Sequence, residues 1–122
     1  MALSGLASAR GLRAAVVIGK SLASLLAGEI SDRNLPAAWL TPPLTVPSMI
    51  DALSRVRNPT LLLGGNADAM WKADAIPDNP VLQVVELPEV DHALQVAGDP
   101  VASLDALRQM TEAMTAWLQR IR

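Results

Sequence analysis

Residues 14–27 read Ala-Ala-Val-Val-Ile-Gly-Lys-Ser-Leu-Ala-Ser-Leu-Leu-Ala, and this stretch decides the fold. Residues 14–18 are an unbroken apolar run stopped by Gly19, the pattern of a strand buried on both faces in a parallel sheet. Residues 21–27 then suit a helix. A strand that passes directly into a helix through Gly-Lys-Ser-Leu-Ala sets the Ser21 hydroxyl at the tip of a tight turn. The N–H of Leu22 follows, aimed where an oxyanion would develop. Such a turn needs small residues on both flanks, because strand and helix backbones pass close together. Here they are Gly19 and Ala23, with alanine standing where the G-x-S-x-G pattern has its last glycine.

Two other readings of the same residues stay open at this point. Ser21 is also a good helix N-cap. Gly19-Lys20-Ser21 also matches the end of a phosphate-binding loop, but that pattern needs a second glycine five residues earlier, and the position is Ala14, inside the strand.

Working outward, Pro36 and Pro42-Pro43 bracket residues 37–41, which fits a short strand with fixed ends. Ser48 and Asp51 resemble a capping box, and Met49, Ile50, Leu53 and Val56 share one helical face. Asn58-Pro59 ends that helix. Residues 60–63 then read as a buried strand, with Gly64-Gly65 as a sharp turn at its end. Residues 81–87 supply the last strand, stopped by Pro88. Asp99-Pro100 starts the best-defined helix, with Val101, Leu104, Leu107, Met110, Met114, Trp117 and Ile121 recurring every three or four residues. Residues 2–12 carry only a weak helical pattern, ending near Gly11. The alternation of apolar runs with helix-period segments predicts an α/β fold: a mostly parallel sheet of about four strands with flanking helices, in one domain over residues 1–122.

Composition narrows the function classes. Apolar residues make up 51% of the chain and charged residues 18%, which argues for a packed domain rather than disorder. The net charge of −2, the lack of a basic block, and an aromatic content of three Trp with no Phe or Tyr argue against nucleic acid as a partner. No apolar run is long enough to cross a bilayer. The absence of cysteine excludes disulfides, thiolate metal sites and a cysteine nucleophile, and leaves the compartment open, with the cytoplasm as the default. A small-molecule partner is expected.

Two further residues stand where strand ends meet loops. Asp68 follows Leu63 by five residues, at the C-terminal end of a strand, where open α/β sheets bind ligands. It also fits a turn-stabilising aspartate in Asn66-Ala67-Asp68. Asp74 and Asp78 share its loop but lie farther from the strand. His92 is the single histidine, five residues beyond the last strand, and a lone histidine is more often structural than catalytic. Taken together, Ser, Asp and His each lie just past a different strand, in the chain order of an α/β-hydrolase triad. Met70 and Trp71 suit either a site lining or the core.

Val-Ile-Gly-Lys-Ser-Leu-Ala-Ser (17–24), Pro-Ala-Ala-Trp-Leu-Thr-Pro-Pro-Leu (36–44), Pro-Thr-Leu-Leu-Leu-Gly-Gly-Asn-Ala-Asp (59–68) and Val-Asp-His-Ala-Leu (90–94) carry a family resemblance. From about Ala14 to the C-terminus the chain resembles the C-terminal, catalytic half of small bacterial α/β-hydrolases. The resemblance implies Ser21 as nucleophile, His92 as base, Asp68 as the acid that orients it, and the Leu22 N–H as an oxyanion donor. It implies hydrolysis of esters or related acyl compounds with neither metal nor organic cofactor. It further implies that the strands preceding the serine turn, with the loop bearing a second oxyanion donor, are missing. The nucleophile strand would then lie at a sheet edge, open to a partner strand or a second copy of the chain. The alternative expectation is a non-catalytic remnant or interaction module.

Overall fold

In the computed structural model of the chain, residues 16–121 are described. The weak helix expected over residues 2–12 lies outside them, as do Ala14 and Ala15 of the first expected strand.

Four strands form one sheet: β1 (Val17–Lys20), β2 (Ala37–Leu40), β3 (Thr60–Gly65) and β4 (Leu82–Leu87). They lie side by side in chain order and every neighbouring pair is parallel, as the continuous apolar runs predict. Parallel neighbours need a crossover of a dozen or more residues. The first is a 3₁₀ segment (Ser21–Leu26) running into α1 (Ala27–Asp32), and the second contains α2 (Pro47–Arg55). The third, residues 66–81, has one short 3₁₀ turn (Ala73–Ala75) as its helical content. α3 (Pro100–Arg120) follows β4.

Side chains alternate between the two faces of the sheet, and both faces are covered, so β2 (Ala37–Leu40) and the middle of β3 (Leu61–Leu63) are apolar throughout. Val17, Ala37, Trp39 and Leu62 pack with Ala27, Ile30, Met49 and Leu53, so that α1 and α2 cover one face. Ala38, Leu61 and Leu63 point the other way, where Trp117, Met110 and Ala106 of α3 meet them. Leu53, Leu61, Leu62 and Leu63 have no exposed surface. Each such side chain contributes roughly 1.5–3 kcal/mol through removal from water.

The structure corrects several expectations. Gly19 does not stop the first strand but lies within it, paired with Trp39 of β2. Gly64 and Gly65 likewise belong to β3 rather than to a turn. A Cβ on Gly64 would overlap the Trp71 ring, and one on Gly65 would overlap the Val90 backbone. These glycines therefore serve the close approach of other groups. The helix after Ser21 begins as a 3₁₀ segment and becomes α-helical only at Ala27. The Ser48–Asp51 capping box does not form. α2 starts two residues earlier, at Pro47, with Val46 as a cap that offers no side-chain hydrogen bond. The preset φ of proline starts the turn instead, and the Val46 carbonyl accepts from the Met49 and Ile50 N–H groups. At α3 the expected cap does form, since the Asp99 side chain accepts from the Ala102 N–H. Only the later part of its expected apolar stripe is covered, however. Met110 and Trp117 are buried, whereas Val101, Leu104 and Leu107 are 78%, 68% and 55% exposed. Leu104, Leu107 and Met110 face the loop of residues 93–98 across an open cavity of about 800 Å³.

Among the described residues, β1 forms one edge of the sheet. Ile18 on that strand, and Leu22, Leu25 and Leu26 in the segment after it, are exposed apolar side chains. No helix among the described residues is long and apolar enough to cross a membrane.

The tightest fit in the sheet generates a stability prediction. A Cβ on Gly19 would lie 2.5 Å from Trp39 Cζ3 and 3.3 Å from the Ala23 Cβ. Overpacking of this kind typically costs about 1–3 kcal/mol. Gly19→Ala is therefore expected to lower the thermal unfolding midpoint by several degrees, and an unchanged midpoint would show that the Trp39 ring moves aside freely.

Candidate active site

The site is assembled where β1, β3 and β4 give way to loops at their C-terminal ends. The Trp39 ring fills the space that a Cβ on Gly19 would need, two residues before Ser21. Ser21 then adopts φ 55°, a left-handed conformation that is uncommon outside glycine. Backbone held in this region is destabilised by about 1–3 kcal/mol and is concentrated at functional sites. The Ser24 hydroxyl, fully buried, donates to the Ser21 carbonyl and closes the turn. Ala23 lies close beneath this turn, since a Cβ added to Gly19 would come within 3.3 Å of the Ala23 Cβ.

Both competing readings of Ser21 can now be judged. The residue at the N-cap position is Lys20, and no side chain caps the 3₁₀ segment. Ser21 Oγ lies instead 2.8 Å from His92 Nε2. The phosphate-loop reading lacks its glycine, and the Lys20 ammonium donates to the His92 carbonyl at 2.9 Å.

Asp68 is positioned by the turn that ends β3. Its N–H donates to the Gly65 carbonyl at 3.1 Å, while the Ala67 N–H donates to the Val90 carbonyl at 3.0 Å. The Asn66 side-chain oxygen accepts from the Glu89 N–H at 2.7 Å. The Asp68 side chain is 1% exposed, and burying a carboxylate is costly unless it is hydrogen-bonded. Oδ1 accepts from the Met70 N–H at 2.9 Å, and Oδ2 lies 2.8 Å from His92 Nδ1. Asp68 thus accepts from its own turn and also hydrogen-bonds the His92 ring. Asp74 and Asp78 are exposed and have no bond to His92. Met70 is half-buried, and Trp71 belongs to the core, its Nε1–H donating to Glu86 Oε1 at 2.7 Å.

His92 projects from a small loop closed by the Val90–Val96 bridge. Asp91 shapes this loop: its Oδ1 accepts from the Ala93 and Gln95 N–H groups at 3.0 Å each, and its own N–H donates to the Gln95 carbonyl at 2.8 Å. A carboxylate only accepts, so the Asp68 contact places the ring proton on Nδ1 and leaves Nε2 free to accept from Ser21. The ring is 39% exposed, so a molecule in solvent reaches it. Such an arrangement can withdraw a proton from the serine hydroxyl as that oxygen forms a new bond.

Leu22 follows Ser21 at the second position of the 3₁₀ segment, within the first turn, where N–H groups lack intrahelical partners. Sequence reasoning weighed Lys20 only as part of a phosphate-binding loop and gave Asp91 no role. Both adjoin a predicted site residue, but nothing in the sequence alone distinguishes them from solvated surface charges. It also passed over Thr41, the residue just beyond β2. Thr41 is fully buried with φ 48°, and its hydroxyl has no hydrogen-bond partner among the described residues.

No family model and no curated protein matches the chain. Among solved structures it is similar to the crystal structure of the esterase domain from a Rhodothermus marinus protein, with a TM-score of 0.67 and 18% sequence identity over 95% of this chain. The match covers 64% of that chain, so the present chain spans less than two thirds of its length. The four parallel strands and their flanking helices thus form an α/β fold similar to that of an esterase domain.

Proposed function

We propose that the chain is a serine hydrolase of esters or related acyl compounds, with Ser21 as nucleophile, His92 as general base and acid, and Asp68 as the carboxylate that orients the imidazole. The observation that carries this reading is the continuous hydrogen-bonded series from Asp68 Oδ2 through His92 to Ser21 Oγ, both links 2.8 Å long. The similarity of fold to an esterase domain supports it. In the proposed reaction His92 Nε2 takes the hydroxyl proton as Oγ bonds to the acyl carbon. The bond to the leaving alcohol then breaks, and the proton passes from Nε2 to that alcohol. Water adds to the acyl-enzyme with His92 as base, releasing the acid and restoring the Ser21 hydroxyl. The Leu22 N–H is the proposed donor to the developing oxyanion. The scheme requires neither a metal nor an organic cofactor.

The proposal is tested by labelling with a fluorophosphonate probe, which reacts with an activated serine. Ser21→Ala should abolish labelling while leaving the fold intact, and labelling that persists in this variant rejects Ser21 as the nucleophile.

Asp68→Asn keeps the shape of the side chain but lets its amide donate, which favours the wrong imidazole tautomer. A loss of roughly 10⁴-fold in kcat is expected, the scale found when a triad carboxylate is neutralised. Activity within a few-fold of the parent would show that Asp68 serves only its turn.

One observation favours the second reading, that of an interaction module. β1 offers an unpaired edge among the described residues, and Ile18, Leu22, Leu25 and Leu26 beside it are exposed. Such an edge recruits further strands, and we propose that a second copy of the chain pairs there. Sedimentation and ester hydrolysis measured on one sample separate the cases. Dimers that dissociate in Ile18→Lys support pairing at this edge, and a monomeric parent with robust Ser21-dependent turnover rejects it.

A further inference from the structure

We propose that Lys20 is a positioning residue for the hydrolytic step, holding the His92 loop against the strand that carries Ser21; this rests on the serine-hydrolase reading above. The loop is well anchored on its β3 side, through the Asn66 side chain to the Glu89 N–H and the Ala67 N–H to the Val90 carbonyl. Internally it is braced by Asp91. Toward β1, two hydrogen bonds cross the gap among the described residues: Ser21 Oγ to His92 Nε2 and Lys20 Nζ to the His92 carbonyl.

These two bonds differ in what the reaction does to them. The Ser21–His92 bond is consumed in each turnover, because the proton leaves Oγ and the oxygen is then acylated. During the life of the acyl-enzyme it cannot hold the loop in place. The Lys20 bond ends on a backbone carbonyl that takes no part in the chemistry, so it persists through every intermediate. Its root is fixed as well, since Lys20 is the last residue of β1 and pairs in register with Leu40. Lys20 forms no ion pair among the described residues, so its protein contact is this carbonyl. An ammonium has three donors, and one of them is aimed along the only direction in which the loop is otherwise tied by a transient bond.

The test compares Lys20→Met and Lys20→Arg with the parent in three measurements: kcat and KM for p-nitrophenyl acetate, the rate of fluorophosphonate labelling, and the proton NMR signal of the His92 ring. His92 is the single histidine of the 122 residues, so its imidazole signals are unambiguous. Lys20→Met is expected to lower kcat and the labelling rate roughly 10-fold, within the ~10²-fold that a misplacement of about 1 Å can cost. KM and the thermal midpoint should stay near the parent values. The downfield Nδ1–H signal should broaden by exchange with water, and Lys20→Arg should restore both the rate and the signal. A Lys20→Met protein with the parental rate and an unchanged ring signal overturns the proposal. So does a loss of rate that merely follows a fall in thermal midpoint and is not rescued by arginine. Failure of the underlying hydrolase reading looks different: labelling of the parent is absent or independent of Ser21. The ring signal then decides by itself whether Lys20 holds the loop.

Discussion

Trp39 and Gly19 occupy paired positions on adjacent parallel strands, and the indole lies where a Cβ on Gly19 would have to be. The ring thus packs over the β1 backbone two residues before Ser21, at a point where any side chain on Gly19 would displace it. The same device recurs at β3, where Trp71 lies against Gly64 and Val90 against Gly65. In each case a bulky residue rests directly on strand backbone, and that is possible only because the strand residue has no side chain. A sequence so poor in aromatics uses two of its three tryptophans in this way. The ends of β1 and β3, which carry Ser21 and lead to Asp68, are thus located by rigid rings rather than by flexible side chains.

Around that frame the polar groups form a gradient from buried to open. The Asp68 carboxylate is almost fully enclosed and satisfied by two donors, one from its own turn and one from His92. The imidazole is half in solvent, and the serine beyond it stands on a strained turn. Buried charge is tolerated where every acceptor is occupied, and exposure is confined to the end where a reactant would arrive. Taking away the imidazole would leave one carboxylate oxygen enclosed with no donor, so the pair supports the loop as well as the proposed chemistry.

The strand segments, their mostly parallel pairing and the nearness of Ser21, Asp68 and His92 were legible because each depends on a local signal: an unbroken apolar run, a glycine or proline border, a polar residue just beyond it. Signals that depend on a distant partner were misread. Gly19, Gly64 and Gly65 resemble turn residues until the rings and backbone that lie on them are known. Ser48 and Asp51 have the spacing of a capping box, yet Pro47 had already started the helix. Val101, Leu104 and Leu107 have the spacing of a buried stripe, but helical periodicity says only that residues share a face, not that anything covers it. The contact of Lys20 with the His92 loop was not legible, because its partner is a carbonyl 72 positions away.

The all-parallel order of the sheet also governs when the proposed site comes into being. No strand pairs with its neighbour through a tight hairpin, so every pairing closes a long stretch of chain, and non-local pairings of this kind are intrinsically slow to form. The Asp68–His92 bond joins residues 24 apart, but the Ser21–His92 bond joins residues 71 apart and spans all four strands. The Asp68–His92 link can therefore be made before β1 joins the sheet, whereas Ser21 meets the imidazole only once β1 is in place. Until then its hydroxyl is an ordinary alcohol, so a nascent or partly unfolded chain carries no activated nucleophile with which to acylate itself.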